Sequence, residues 1–351
     1  MEMDGKQFIH GIFLSELEEW VVGAGEKKFR AKQIWQWLYQ HQVAGWDEMK
    51  NIPKALRDKL EADFIFNALE KVEVQESNTG TRKILSRLVD GELIEEVLIP
   101  VPDRRTVCVS SQVGCMFGCA FCASGQNGVK RNLKAGEIVG ELLSAQREYG
   151  DRVTNLVFMG IGEPFDNYDE VMRAIRIMND PDGFCLGARR ITVSTCGVVP
   201  GIQRFENEGL QVELSVSLHA PTNSIRDELM PVNVSWSLDE LVATCRDYTA
   251  RTKRIITFEY TMIRDVNDTE QDLRELITML RTFPCRVNLI PLSEIDEYEG
   301  RTSKRETVEH FIKELEKAGI NTTVRWSKGV DVNAACGQLR SKSMGKSLRN
   351  G

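Results

Sequence analysis

The chain reads as an α/β protein, a partial (βα)6 TIM-like barrel behind a small N-terminal helical domain. Three observations predict this. Residues 1–75 carry helical periodicity; from residue 106 short β-rich apolar runs alternate with amphipathic helical patterns; and a glycine-rich loop with three cysteines follows the first of those runs directly. Repeated strand–helix units joined by short loops imply a parallel sheet. A complete barrel needs eight such units, two more than the pattern supplies.

In order along the chain, KKFRAKQIWQWLYQ puts Phe29, Ile34, Trp37 and Leu38 near a 3.6-residue period. After Pro53, NIPKALRDKLEADF places Ala55, Leu56, Leu60 and Phe64 on one face. Residues 1–75 are therefore expected to form a helical domain suited to RNA, and 76–100 a β-hairpin connector. Within the connector, RKILSRLVDGELIEEVLIP has two β-rich arms about Asp90–Gly91. The barrel is expected over 101–340. Its strands are TVCVSS, TNLVFMG, RITVST, VELSVSL, ITFEYTMI and RVNLIPL, with helices such as AGEIVGELLSAQREY and SLDELVATCRDYTAR between them. A last strand in NTTVRW leads to a cysteine-bearing loop, and 341–351 form a basic tail.

Nine cysteines in 351 residues, three of them crowded on one loop, do not resemble a secreted disulfide framework. A charged N-terminus and the absence of an eighteen-residue apolar run point to a cytoplasmic chain without a membrane anchor. The net charge of −7 and pI of about 5.4 argue against nucleic acid only globally. Basic residues bunch locally at Lys27, Lys28, Arg30 and Lys32, at Arg104 and Arg105, and at Lys130, Arg131 and Lys134. Others gather at Arg189 and Arg190, and in the tail at Arg340, Lys342, Lys346 and Arg349. Each run is a solvated face or a phosphate site.

Cys115, Cys119 and Cys122, in GCMFGCAFCASG, are spaced C-x3-C-x2-C. Three thiolates so close can bind three irons of a [4Fe–4S] cubane and leave the fourth iron open to a small molecule. Zinc prefers four Cys/His ligands, and no histidine lies near this loop. After the second strand, MGIGEP lets backbone approach a ligand at Gly160 and Gly162 and offers the carboxylate of Glu163. The fourth strand ends in Ser217, Leu218 and His219, and Ser194 is a similar strand-end hydroxyl. Cys108 lies on the first strand, where a cysteine is usually a small buried hydrophobe. Cys336, in VNAACGQL, stands on a loop with little to bury it.

The cysteine spacing, with Phe121 before its last member, resembles the radical S-adenosylmethionine (SAM) superfamily. Together with FMGIGEP, RRITVSTCGVVPGI, SVSLHAPTNSIRDELMPVN and VNAACGQL, it resembles the RlmN/Cfr family of radical SAM RNA adenine methyltransferases across nearly the whole chain. The resemblance implies a radical SAM barrel with one [4Fe–4S] cluster held by Cys115, Cys119 and Cys122. It implies SAM contacts at Gly162, Glu163, Ser194, Ser217, Leu218 and His219. Ser293, in IPLSE, stands where the family has an asparagine that contacts SAM. By the same resemblance Cys336 takes a methyl from one SAM, because carbon 2 of adenine is too electron-poor for direct displacement. Cleavage of a second SAM at the cluster generates a radical on that methyl, which then adds to the base. Glu95, rather than its neighbour Glu96, accepts a proton, and Cys108 attacks the Cys336 sulfur to release RNA and leave a disulfide. The expected product is 2-methyladenine in 23S rRNA and in tRNA. A flavodoxin- or ferredoxin-type protein is the expected reductant, and the chain is expected to act as a monomer. Methylation at carbon 8, as in Cfr, and a non-methylating iron–sulfur redox or regulatory protein are the alternatives.

Overall fold

The structure, a computed structural model, describes residues 5–340. Ten strands form one sheet: β1 Leu69–Glu76, β2 Arg82–Leu88, β3 Leu93–Val101, β4 Arg104–Val109, β5 Asn155–Phe158, β6 Ile191–Thr195, β7 Glu213–Ser217, β8 Ile256–Met262, β9 Cys285–Pro291 and β10 Asn321–Val324. They lie in sequence order from one edge to the other. β4 to β10 are all parallel, the six expected strands and the last one, whereas β1 to β3 run antiparallel onto β4. The sheet stays open, because β1 and β10 each have only one neighbour.

The hairpin turns where Asp90–Gly91 predicts it. Gly91 has φ +88°, the left-handed region that glycine enters without strain, and its N–H donates to Leu88 O at 2.9 Å. Its second arm pairs with the first barrel strand, Val97 opposite Cys108, so the hairpin continues the barrel sheet. β1 was not foreseen. Its sequence, LEKVEVQE, is largely exposed at the sheet edge, and the alternation of Val72 and Val74 with charged neighbours is too short to mark a strand.

Among the described residues ten α-helices lie outside the sheet: α1 Leu14–Gly23, α2 Phe29–Tyr39, α3 Lys54–Asp63, α4 Ala135–Tyr149, α5 Tyr168–Asn179, α6 Val199–Phe205, α7 Asn223–Leu229, α8 Leu238–Thr252, α9 Glu270–Leu280 and α10 Arg305–Lys317. Their starts follow local chemistry. The hydroxyls of Thr222, Ser237 and Thr269 accept the N–H of Ile225, Glu240 and Asp272, satisfying donors that the first helical turn leaves unpaired. No helix among the described residues is long and apolar enough to cross a membrane.

The buried face of α2 differs from the one read from its period. Ala31, Ile34, Trp35, Leu38 and Tyr39 are buried, while Phe29 is 51% exposed and Trp37 half-buried. On α3 the buried pair is Leu56 and Leu60, and Ala55 is exposed. This helical segment shares one apolar core with the barrel helices. The Tyr39 ring packs tilted against Phe184 at 4.8 Å, and a Cβ on Gly183 would lie 2.9 Å from Trp35 Nε1. Truncating a buried tryptophan of this kind costs about 3–5 kcal/mol, so the helical segment is an integral part of the fold.

Candidate active site

The cysteine loop leaves the end of β4. Gln112–Gly114 pair antiparallel with Val129–Asn132 and close its base. Gly114 has φ +84°, and a Cβ there would fall 2.0 Å from Gly128 O, so only glycine allows this closure. Beyond it, Ala120 N donates to Leu229 O at 2.9 Å, Ala123 N to Gly337 O at 2.7 Å and Ser124 Oγ to Leu339 O at 2.7 Å. The loop is thus tied both to α7 and to the segment around Cys336.

Cys115, Cys119 and Cys122 line one cavity at the C-terminal ends of the barrel strands. Burial raises all three thiols above the ordinary cysteine value, Cys115 to about 12. Such thiols stay protonated on their own, and iron binding is what would deprotonate them. Among the described residues no three His, Cys, Asp or Glu side chains are grouped to hold a single metal ion. The cysteines instead surround open space from one loop, and three soft sulfur donors with no fourth from that loop fit a cubane with one open iron.

Gly160, Gly162, Glu163, Ser194, Ser217, His219 and Ser293 line the same cavity. Gly162 has φ +101°, and a Cβ on it would meet Gln112 Cβ at 2.5 Å. Gln112 Oε1 in turn accepts the N–H of Glu163 at 2.9 Å. The buried Glu163 carboxylate accepts from Phe165 N at 3.0 Å and Cys196 N at 2.7 Å, and burial pushes its pKa up despite those donors. His219, at φ +56°, is buried edge-on against Phe121, and burial lowers it to about 3. The Ser293 hydroxyl is bonded to Ser327 Oγ at 2.6 Å. Leu218 alone among these positions does not reach the cavity; its side chain is in the main core, and its N–H donates to Glu259 O.

The fully buried Arg226 braces this rim. Its guanidinium donates to the carbonyls of Leu218, Cys196 and Ser217, and to Asn233 Oδ1. It thereby fixes the ends of β6 and β7 relative to each other.

Cys108 is buried on β4 and packs against Val97, Ile161, Ala334 and Leu339. Burial chiefly, with the nearby Cys336 sulfur, pushes its thiol to about 12, and Arg325 pulls it back. Cys108 and Cys336 line a second cavity inside the barrel. Met159, Glu259, Arg325 and Cys336 belong to both cavities, so Cys336 stands at their junction. Both cysteines carry free thiols, so the disulfide expected between them is absent from this state. The loop before Cys336 also departs from the expected exposed one. Ala334 and Ala335 are buried, because the Gly337 and Leu339 carbonyls engage the cysteine loop.

Glu95 and Glu96 point to opposite faces of β3, as alternation requires. Glu95 lies on the face of Val97, which packs on Cys108; it pairs with Lys83 at 3.3 Å and accepts Arg340 N at 2.9 Å. Glu96 faces α4, where Ser144 Oγ donates to it at 2.5 Å, and burial raises it to about 8.

Seven of the twelve singled-out basic residues among the described residues carry acidic partners: Lys28 with Glu18, Lys32 with Asp182, Arg105 with Asp151, Lys130 with Glu92, Arg131 with Asp90 and Glu137, Lys134 with Glu170, and Arg340 with Glu297. Lys342, Lys346 and Arg349 lie outside the described residues. Sequence reasoning missed Arg226, Arg325 and Cys196 as parts of the site. Cys196 and Arg325 directly follow strand ends, the one signal that pointed to them, whereas Arg226 lies within α7 and has no such local signal.

Residues 9–65 match the family model of the ribosomal RNA large subunit methyltransferase N-terminal domain, and residues 109–277 that of the radical SAM superfamily. The chain is 46% identical to the probable dual-specificity RNA methyltransferase RlmN of Staphylococcus carnosus, over 96% of this chain and 93% of that protein. It is 45% identical to the protein of the same description from Clostridium novyi, over 93% of this chain and 96% of that protein. The crystal structure of a radical SAM methyltransferase from Sphaerobacter thermophilus matches with a TM-score of 0.92 at 45% identity, covering 95% of this chain and 99% of that one.

Proposed function

The chain belongs to the RlmN family of radical SAM RNA methyltransferases, and on that premise we propose that it methylates carbon 2 of an adenine in 23S rRNA and tRNA through a methyl carried on Cys336. When bound, the [4Fe–4S] cluster and SAM that this superfamily uses supply the methyl group and the 5′-deoxyadenosyl radical.

Cys115, Cys119 and Cys122 hold the cluster in this reading. Gly162 leaves room for SAM, Glu163 accepts its ammonium, and Ser194, Ser217 and His219 line its bed. His219 stays neutral there, so it adds no charge against a sulfonium. Leu218 contributes backbone only, and Ser293 stands in for the family's asparagine while bonded to Ser327. Cys336 is the nucleophile that takes the methyl and presents it to the base. Glu95, on the Cys108 face of β3, accepts a proton from the carbon that links enzyme and RNA. Cys108 then attacks the Cys336 sulfur, which frees the RNA and leaves a disulfide for a flavodoxin- or ferredoxin-type reductant to reopen. The protein acts as a monomer in this account, with residues 1–75 contributing to the RNA surface.

The observation that carries this reading is Cys336 at the junction of the two cavities, with the cluster cysteines on one side and Cys108 on the other. Mass spectrometry of nucleosides from rRNA and tRNA after anaerobic reaction tests it. The expected product is 2-methyladenosine; 8-methyladenosine, or no methylated adenosine, overturns the assignment.

A further inference from the structure

The cavity that gathers the three loop cysteines is lined by two more, Cys336 at its junction with the second cavity and Cys196 just past the end of β6. Its N–H donates to Glu163 at 2.7 Å and its carbonyl accepts from Arg226 at 2.7 Å, so two buried charged side chains pin its backbone. The Cys196 thiol bonds to the Glu163 carboxylate and lies within electrostatic reach of Cys119 and Cys115. Cys119 and Cys196 pack against the same small apolar group, which includes Phe121 and Met230. The cysteines outside the site are placed differently: Cys185 is exposed, and Cys245 and Cys285 are buried in the main core.

Three cysteine ligands leave one iron with an open position, and thiolate is a preferred ligand for iron in such clusters. We propose that in the SAM-free enzyme Cys196 is the fourth ligand of the cluster and that SAM displaces it. The exchange involves no oxidation or reduction. An iron–sulfur bond forms as the Cys196 S–H bond breaks and its proton passes to solvent; on SAM binding that bond breaks and the thiolate takes up a proton. The carboxylate bonded to this thiol is the one that receives the SAM ammonium in the reading above, so arrival of SAM frees the thiol and occupies its partner together. The device protects the labile iron in the resting enzyme, and it makes SAM compete with an internal ligand.

The inference rests on the cluster reading and is tested without RNA. The full chain, wild type and Cys196→Ala, is reconstituted anaerobically, and its reduced cluster is followed by electron paramagnetic resonance while cyanide or SAM is added. Cyanide should leave the SAM-free wild-type spectrum unchanged at concentrations that shift the variant. Ferricyanide should yield a [3Fe–4S] signal more readily from the variant, and saturating SAM should bring the two spectra together. Cys196→Ala should bind SAM about tenfold more tightly, the factor removed when a competent state is no longer populated only about one time in ten. A merely structural cysteine would give weaker binding on removal. Identical SAM-free spectra and unchanged or weaker SAM binding overturn the exchange. If the variant holds no cluster, the wild type decides alone, since a cyanide-shifted SAM-free spectrum shows an uncapped iron and overturns it. A wild-type preparation lacking iron and sulfide overturns the cluster reading together with this exchange.

Discussion

Thr261 donates its backbone N–H to Nδ1 of His219 at 2.9 Å. That bond leaves Nδ1 as an acceptor and places the ring proton on Nε2, facing the cavity. Burial lowers the imidazole from its ordinary 6.5 to about 3, so it remains neutral at any working pH. Nitrogen-resolved NMR should show one tautomer, protonated at Nε2, with no titration near neutrality. A ring that titrates near 6.5 would contradict this. His10 is lowered to about 3 in the same way. For each, the unfolded chain binds a proton that the folded chain refuses between 6.5 and about 3. Stability is therefore complete above 6.5 and is lost on acidification, by about 1.4 kcal/mol per pH unit per histidine. His10→Gln should remove one such contribution from the pH dependence of urea unfolding.

Glu96 gives the opposite slope. Burial raises its folded value from 4.5 to about 8, so the folded chain keeps a proton that the unfolded chain releases in that window. Its stability contribution is complete below 4.5 and is lost as pH rises through about 8. Glu96→Gln keeps an acceptor for Ser144 and has nothing to ionise. Urea unfolding of the variant should lose this decline, so that it gains on wild type with rising pH by up to about 1.4 kcal/mol per unit. An unchanged slope would remove Glu96 from the account.

Gly162→Ala should damage both fold and site. The residue would sit at φ +101° with its Cβ 2.5 Å from Gln112, whose amide nitrogen bonds Asn132 and Asp166 and whose oxygen holds Glu163. The backbone strain alone costs about 1–3 kcal/mol. Denaturant unfolding should show at least that loss, and calorimetry should show SAM binding abolished. Normal SAM affinity in the variant would mean that Gly162 only shapes the turn.

What the sequence made legible follows from how local its signals are. The parallel strands could be read because β-rich segments with apolar residues at every second position recur between helical patterns: Leu214 and Val216 on β7, Ile256, Phe258 and Tyr260 on β8, Val287 and Leu289 on β9. Helix α8 could be read from its period and from Ser237, which caps it. The Gln112–Gly114 and Val129–Asn132 ladder was invisible, since three or four residues around glycine carry no period. The buried state of Ala334 and Ala335 depends on bonds from Ala123 and Ser124, more than two hundred residues away, which no local pattern records. The buried stripe of α2 was misjudged at Phe29 and Trp37 because both are large and apolar, yet its neighbours lie on the side of Trp35 and Tyr39.

Phe29 is exposed with Arg30 over its ring at 5.1 Å, and the exposed Lys27 precedes it by two residues, so these side chains are the ones to test for base stacking and phosphate contact. Removing residues 1–70 would open the shared core, so point changes are the better probe. Lys27→Ala should weaken binding of a tRNA or a 23S fragment and lower the salt slope by about 1. Phe29→Ala should cost about 1–3 kcal/mol of binding if a base stacks there. Unchanged affinity and salt slope in both would confine the helical segment to a structural part.

The central claim is the division of labour between Cys108 and Cys336, and the Cys108→Ala variant tests it most directly. On the proposed assignment the variant retains the thiol that takes the methyl and lacks the one that resolves the link, so expression should accumulate chain covalently joined to RNA through Cys336. Cys336→Ala should hold its cluster, make no such species and methylate no RNA. The measurement is nuclease-treated Cys108→Ala examined by intact-mass and peptide mass spectrometry, with a nucleotide-sized addition expected on the Cys336 peptide. No addition, with RNA methylation intact, would contradict the assigned pair.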